Sequence, residues 1–312
     1  MAGIVAATVA TAQPYPSKQI RIVVGFVPGG GSDFIARLIS AKLTDAFARP
    51  VIVENRPGAG AVIATDFVAK APADGYTLLL GSAGPFGIVP ALNPKTPYDS
   101  QKDFDPITLV VIMPFVMTVH PSLPVKNVKD LIALAKTKPG QLNFGSPGHG
   151  STNHLANEML KVMTKIDMTH VPYKGVSSAM TDVIAGQIQI LSGDLTTLLP
   201  PAKAGRLRAI AVTSAKRSSI APEIPTIAES GVPGYDTSGW FGMVAPAGTP
   251  RAVIERLNTE VKGITTPESR ERLGTLGGDV VANTPAEFAA FIRTDHAKWA
   301  KLIAATGLKE KP

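Results

Sequence analysis

The sequence predicts an α/β protein of two lobes, each a mostly parallel sheet flanked by helices, with a ligand cleft between the lobes. Three observations carry this. Short β-branched strands alternate with amphipathic helices, the alternation occurs twice in the same order, and each copy opens with a strand that runs into a glycine-rich loop. At 312 residues the chain is long enough for two separate cores.

The first copy begins with Ile20 to Val24, an apolar run that suits a parallel strand buried on both faces. Phe26-Val27-Pro28-Gly29-Gly30-Gly31-Ser32-Asp33 follows as a loop, and Phe34 to Phe47 carries apolar residues at helical spacing. A strand, a loop and a helix start bring unpaired N–H groups and the positive end of a helix dipole to one point. Gly25 and Gly30 stand at P-loop spacing, but Gly31 occupies the place of the lysine. Phe34 stands where a dinucleotide fingerprint needs its third glycine. The loop therefore suits an anion without phosphate chemistry, and a carboxylate is the expected guest. The copy continues with Val51 to Val53, Gly58-Ala59-Gly60, a helix from Ala61 to Lys70, and the strand Tyr76 to Leu80 ending in Gly81-Ser82-Ala83-Gly84.

The second copy opens with the strand Leu142 to Phe144 and the loop Gly145-Ser146-Pro147-Gly148-His149-Gly150-Ser151-Thr152. A helix from Asn153 to Met163, the strand Thr169 to Tyr173, a helix from Ser177 to Ala185 and the strand Ile188 to Leu191 complete it. Both copies read β-loop-α-β-α-β, which implies right-handed crossovers and parallel strands. Asp105 to Val119 leads from one copy toward the other, Leu207 to Val212 is a further strand, and Trp240 to Ala245 returns the chain to the first lobe. Helices over 250–262, 267–276 and 285–304 each open near a proline, where a missing N–H costs nothing. Residues 14–117 with 240–312 are thus assigned to one lobe and 118–239 to the other, with crossings near Met113–Val119 and Tyr235–Phe241. Ligands of such sheets sit beyond the strand C-termini, here 25–33, 81–86, 145–152 and 192–197.

Composition narrows the function classes. Hydrophobic residues at 45% and charged residues at 18% describe a globular chain, and 29 glycines with 27 prolines mark many short connections. The net charge of +7 comes from scattered lysines and arginines without a basic run, so small anions or an anionic membrane surface suit it better than nucleic acid. With no cysteine there is no thiolate catalysis and no Cys-ligated metal. Residues 1–13 are small and apolar and include Ala10-Thr11-Ala12 before Gln13, which reads as the remnant of a signal peptide and places the body in the periplasm. No apolar run reaches the roughly 18 residues of a membrane span.

At these residues the chain closely resembles the Bug-type receptors, the extracytoplasmic solute-binding proteins of tripartite tricarboxylate transporters. The resemblance runs from Tyr15 to Gly307 and rests on Tyr15-Pro16-Ser17-Lys18, the first glycine loop, and Val53-Glu54-Asn55-Arg56-Pro57-Gly58-Ala59-Gly60. It continues through Asp74-Gly75-Tyr76-Thr77-Leu78-Leu79, His120-Pro121-Ser122-Leu123-Pro124, Gly148-His149-Gly150-Ser151-Thr152-Asn153-His154-Leu155, Pro172-Tyr173-Lys174-Gly175 and Ala245-Pro246-Ala247-Gly248-Thr249-Pro250. It implies a type II-like periplasmic binding protein, monomeric, that closes on a small organic carboxylate and delivers it to membrane transporter subunits. Carried over residue by residue, one pincer is Gly29 to Asp33 and the other Ser146 to Thr152. The sequence departs from the family in two stretches that would line the cleft. Ala83-Gly84-Pro85-Phe86-Gly87 replaces a polar Thr/His/Asn-containing stretch, and Ser192-Gly193-Asp194-Leu195-Thr196-Thr197 replaces an Asp-Asn-containing run. Phe86 at the cleft would favour an aromatic carboxylate.

The expected ligand-binding residues are Phe26, Pro28, Gly29, Gly30, Gly31, Ser32 and Asp33 of the first loop, with Ser82, Gly84 and Phe86 after the third strand. From the second copy they are Ser146, Gly148, His149, Gly150, Ser151 and Thr152, with Lys174 at the cleft mouth and Asp194. Asp33 reads first as a helix N-cap, Lys174 equally as a solvated turn residue, and Trp240-Phe241 first as hinge packing and then as a ligand platform. His149 and His154 are five apart, a poor spacing for one metal, and no third ligand is evident, so no metal and no cofactor are expected. No G-x-S-x-G elbow occurs, and Gly148-His149-Gly150-Ser151 lacks an acid–base set, so no catalytic residue is assigned. The alternatives are a ligand-sensing partner of a membrane receptor and a hydrolase with an unmarked nucleophile.

Overall fold

The computed structural model describes residues 15–26, 28–173 and 175–308; the segment read as a signal-peptide remnant lies outside them. Strand β1 (Ile20–Val24) is buried along nearly its whole length, as an unbroken β-branched run requires. Helix α1 (Gly31–Phe47) starts three residues earlier than its apolar spacing indicates, because extended Gly30 serves as N-cap. Its buried stripe, Ile35, Leu38, Ile39 and Leu43, follows the helical period, and the helix ends at Ala48 with φ +48°. Strand β2 (Val51–Asn55), helix α2 (Val62–Ala69) and strand β3 (Thr77–Ser82) complete a parallel triple in the order β2-β1-β3. A π-helical turn at Gly84–Ile88 and the short α3 (Val89–Leu92) then carry the chain to β4 (Phe104–Val119).

Strand β4 belongs to both halves. Phe104–Pro114 pairs with β9 (Ser238–Pro246) and Phe115–Val119 pairs with β7 (Ile190–Asp194). Helix α4 (Val128–Thr137) was not separately foreseen, although the Asn127 side chain caps it by accepting the Asp130 N–H. Then come β5 (Asn143–Ser146), α5 (Thr152–Thr164), β6 (Thr169–Pro172), α6 (Val176–Ile184), β7 and α7 (Leu195–Lys203). The second parallel triple is β7-β5-β6, the counterpart of the first. Strand β8 (Arg208–Val212) pairs antiparallel with β4. After β9 follow α8 (Arg251–Lys262), α9 (Pro267–Gly274), the two-residue β10 (Asp279–Val280) and α10 (Pro285–Thr306).

Each half-sheet is mixed rather than mostly parallel, since β4, β8, β9 and β10 all pair antiparallel. The physical reason is the crossing itself, because a strand that leaves one half must be answered by one that returns. Both faces of each half-sheet carry an apolar core, one half centred on Ile22, Ile39 and Val244, the other on Phe144, Leu191 and Leu198. A fifth cluster joins the halves, with Trp299, Leu302 and Ile303 of α10 packed on Leu155 of α5 and on Ile88. Pro250 caps α8 from outside, whereas Pro267 and Pro285 occupy first-turn positions.

Candidate functional site

A cavity of about 910 Å³ lies where the strand ends of the two halves meet. Phe26 lies just beyond β1 and Ala59, Gly60 and Val62 beyond β2; Ser82 ends β3, with Ala83 and Gly84 after it. The facing wall holds His149 to Ser151 between β5 and α5, Thr152 and Asn153 at the start of α5, and Asp194 at the end of β7. Met113, Phe115 and Gly239–Phe241 of the crossing strands form the back, and Asn93, Lys95 and Thr96 reach the rim. Five strand C-termini thus supply the site, as a doubly wound sheet dictates. Close approach is built in at Gly25, where a Cβ would collide with Ala61, so the first strand end and the segment after β2 sit side by side.

The two glycine loops are not equivalent. In the first, Asp33 is buried, and its Oδ2 accepts the Gly29 N–H at 3.0 Å while Arg37 grips both carboxylate oxygens at 2.9 and 3.1 Å. Asn55 Nδ2 adds a further bond at 3.0 Å. Arg37 first, and then the Gly29 and Asn55 hydrogen bonds, hold the Asp33 carboxyl below the usual carboxylate range against the cost of burial. The first loop therefore holds an anion supplied by the chain itself. Pro28, Gly29, Gly30 and Gly31 are exposed and Ser32 is buried on α1; none of them, nor Asp33, lines the main cavity. Of the described residues of that segment only Phe26 lines the cavity, so the pincer expected at Gly29 to Asp33 does not line it in this structure.

The second loop is braced from beneath and keeps its helix start free of acid. Ser146 Oγ donates to the Gly148 carbonyl at 3.0 Å, and Ser151 Oγ donates to the same oxygen at 2.8 Å while capping the His154 N–H. The Gly150 N–H donates to His154 Nδ1 at 3.1 Å. Gly150 has φ +71°, and a Cβ there would press to 3.0 Å from Leu92. Helix α5 has no acidic residue in its first turn, and the amides of Thr152 and Asn153 precede its first intrahelical bond. Ser146 and Gly148 thus support the loop without lining the cavity, whereas His149, Gly150, Ser151 and Thr152 line it.

Under this loop lies a stack that spacing did not reveal. His170 of β6 joins His149 and His154, and one ring nitrogen from each lies within 4.8 Å of the others, so a third histidine exists where none was evident. His154 and His170 nevertheless lie face to face, with centroids 3.9 Å apart and planes 25° apart, and both stack on Phe144. Lone pairs lie in the ring planes, so stacked imidazoles do not converge on one ion. Burial, and next the neighbouring histidines, push His154 down to about 3; burial and then His149 push His170 down to about 4. Both rings are neutral at neutral pH.

Phe86 is placed in the core, not in the cleft. Gly81 leaves room for its ring, which packs against Phe104 and Trp240, and its carbonyl accepts from Ser100 Oγ at 2.7 Å. The case it made for an aromatic ligand falls with it. Ser82 and Gly84 do line the cavity, and Lys174 lies outside the described residues. Trp240 lines the cavity while its Nε1 donates at 2.9 Å to Asp295 of α10, so it packs at the crossing and also faces the cavity. Met113, Phe115, Asn93, Lys95, Thr96 and Asn153 also line the cavity; the first five lie far in sequence from the glycine loops, and Asn153 directly follows the second loop.

The family model described as "Tripartite tricarboxylate transporter family receptor" matches residues 35–308. The chain belongs to that family. It is 40% identical over 291 residues to the UPF0065 protein in the tcbD-tcbE intergenic region of a Pseudomonas species, covering 93% of this chain and 86% of that protein. To Protein BugT of Bordetella pertussis it is 36% identical, covering 99% of this chain and 97% of that one. Among solved structures, an R. palustris protein with adipate superposes with a TM-score of 0.77 at 36% identity, covering 94% of this chain and 98% of that chain. MatC from Rhodopseudomonas palustris with bound malate gives 0.73 at 30%, covering 93% and 100%. Such proteins are solute-binding receptors that work with membrane transporter subunits, so this family member is a receptor and not an enzyme. No described helix is long and apolar enough to cross a membrane.

Proposed function

We propose that the protein captures one small organic carboxylate in the cavity between its halves and hands it to a tripartite tricarboxylate transporter. The observation that carries this is the second glycine loop. It leaves the Thr152 and Asn153 amides unbonded at a helix start that lines the cavity, opposite the apolar Phe26, Met113 and Phe115. The ligand carboxylate takes the place that Asp33 fills in the first loop. Its organic body rests against Phe26, Met113, Phe115 and Trp240. Binding of adipate and of malate by the two R. palustris relatives supports the class. The proposed setting is the periplasm, reached through an N-terminal signal segment, with a monomeric receptor and no nucleic-acid partner.

A thermal-shift screen of aliphatic and aromatic carboxylates tests it. A ligand that binds only the folded state raises stability by about 2.7 kcal/mol at a hundred times its dissociation constant. Shifts from sugars or nucleotides, with none from any carboxylate, would overturn the proposal.

Residues 14–117 with 240–312, and 118–239, are proposed to move as two bodies about the crossings at Pro114/Phe115 and before Ser238. A ligand touching both walls favours the closed form by its differential affinity. Small-angle scattering should show a smaller radius of gyration at saturation. An unchanged profile would mean that the apolar seam between α10 and α5 already holds the halves together.

A further inference from the structure

The walls of the cavity hold one feature that a plain anion site does not explain. Asp194 ends β7 opposite Phe115 and stands at the N-cap position of α7, yet its side chain makes no cap bond. Its half-buried carboxylate accepts from its own backbone N–H and, among the described residues, meets no other side chain and no ion pair, although it lines the cavity. Burial raises its carboxyl above the usual carboxylate range, and no described cation offsets this. The chain neutralises its other inward acids differently. Asp33 is gripped by Arg37, and Asp295 receives Trp240 Nε1, Trp299 Nε1 and Lys298. Asp194 alone among these faces the ligand space without a partner side chain among the described residues.

We propose that Asp194 is the specificity-determining residue of the cavity and that its counter-charge comes from the ligand, which carries a cationic nitrogen as well as a carboxylate. The inference rests on the carboxylate reading of the cavity. Asp194 directly follows the β7 segment to which α5 is tied, since Asn153 Nδ2 donates to the Ser192 carbonyl at 3.1 Å. The anion-binding amides of α5 and the Asp194 carboxylate therefore belong to one wall. A zwitterion satisfies both ends of that wall. A bare dicarboxylate brings its second negative charge toward Asp194, where low local dielectric strengthens repulsion. Lys95, the other charged residue at the cavity, is exposed at the rim, where water screens it.

Calorimetry with length-matched pairs tests this on the full chain: succinate against 4-aminobutanoate, adipate against 6-aminohexanoate, and terephthalate against 4-(aminomethyl)benzoate. In at least one pair the amino member should bind about tenfold tighter, the value of one charge-assisted hydrogen bond. Asp194→Asn keeps the shape and removes the charge, so the preference should collapse to parity or reverse. A thermal melt checks that the variant is folded, and the preference of the unaltered protein stands without it. Equal binding within every pair, a preference for the diacids, or a preference that survives Asp194→Asn would each overturn the inference and leave carboxylate capture intact. Silence from all six probes also counts against it. It reaches the carboxylate reading only if simple monocarboxylates fail as well.

Discussion

The two glycine loops look alike in sequence and differ in what their helix starts already hold. Each follows the first strand of a parallel triple and opens a long helix. In the first, Asp33 three residues into the helix folds back on the loop, and Arg37 one turn later fixes it. In the second, the first turn is Thr152-Asn153-His154, without an acid, and its bracing comes from Ser146, Ser151 and His154. The lesson is that an anion-binding loop is defined by what already occupies it. A helix N-terminus with its own carboxylate is a structural unit, whereas one without is open to a ligand.

Acid should separate the two loops by the largest margin. His154 and His170 have folded values of about 3 and about 4, well below the ordinary imidazole value near 6.5. The unfolded state therefore binds more protons between these limits, and stability is full above about pH 6.5 and falls as pH drops. Each such proton contributes about 1.4 kcal/mol per pH unit, several kcal/mol by pH 4. Asp33, whose folded value is depressed, adds stability that is lost only lower, as pH falls through its own range. Urea unfolding from pH 7 to 4 should show this slope, and His154→Gln with His170→Gln should flatten it. A flat profile in the unaltered protein would remove the buried neutral stack from the account.

Gly150→Val should cost binding next. Its φ of +71° and the nearness of Leu92 leave no relaxed place for a β-branched side chain, a strain of about 1–3 kcal/mol. Gly30→Val, at φ −83° and exposed, should leave carboxylate affinity unchanged. Calorimetry on both decides, and loss of affinity in Gly30→Val alone would reverse the assignment of the loops. On affinity the smallest effect is expected from Asp33→Asn, as from Gly30→Val: it weakens charge-assisted hydrogen bonds and should lower stability by about 2 kcal/mol without touching affinity. Affinity falling in step with stability would return the first loop to the site.

The succession of strands and helices, both loops and the terminal helices were legible because they depend on local period and on glycine and proline chemistry. Burial of β1 follows from Ile20-Arg21-Ile22-Val23-Val24 alone, and the Asp33 ambiguity between cap and ligand contact was already visible. Phe86 was misjudged for a reason of packing. Whether an aromatic ring after a strand turns outward or inward depends on the room opposite, and Gly81 provides it. His170 escaped notice because it comes from a different strand, paired with β5 at Phe144. The antiparallel share of the sheets was also hidden, since pairing direction along β4 is set by partners more than a hundred residues away.

The sequence by itself determined that two strand–glycine–helix units would each present backbone amides at a strand end, because those properties belong to short segments and their own dihedral preferences. Only the tertiary structure decided which unit keeps its helix start open to the cavity. That choice depends on where Asp33, Asn55 and Arg37 meet, on the stack beneath Gly150, and on an unpaired Asp194 across from Phe115. Electrostatic satisfaction is a property of positions in space, and residues far apart in the chain supply it.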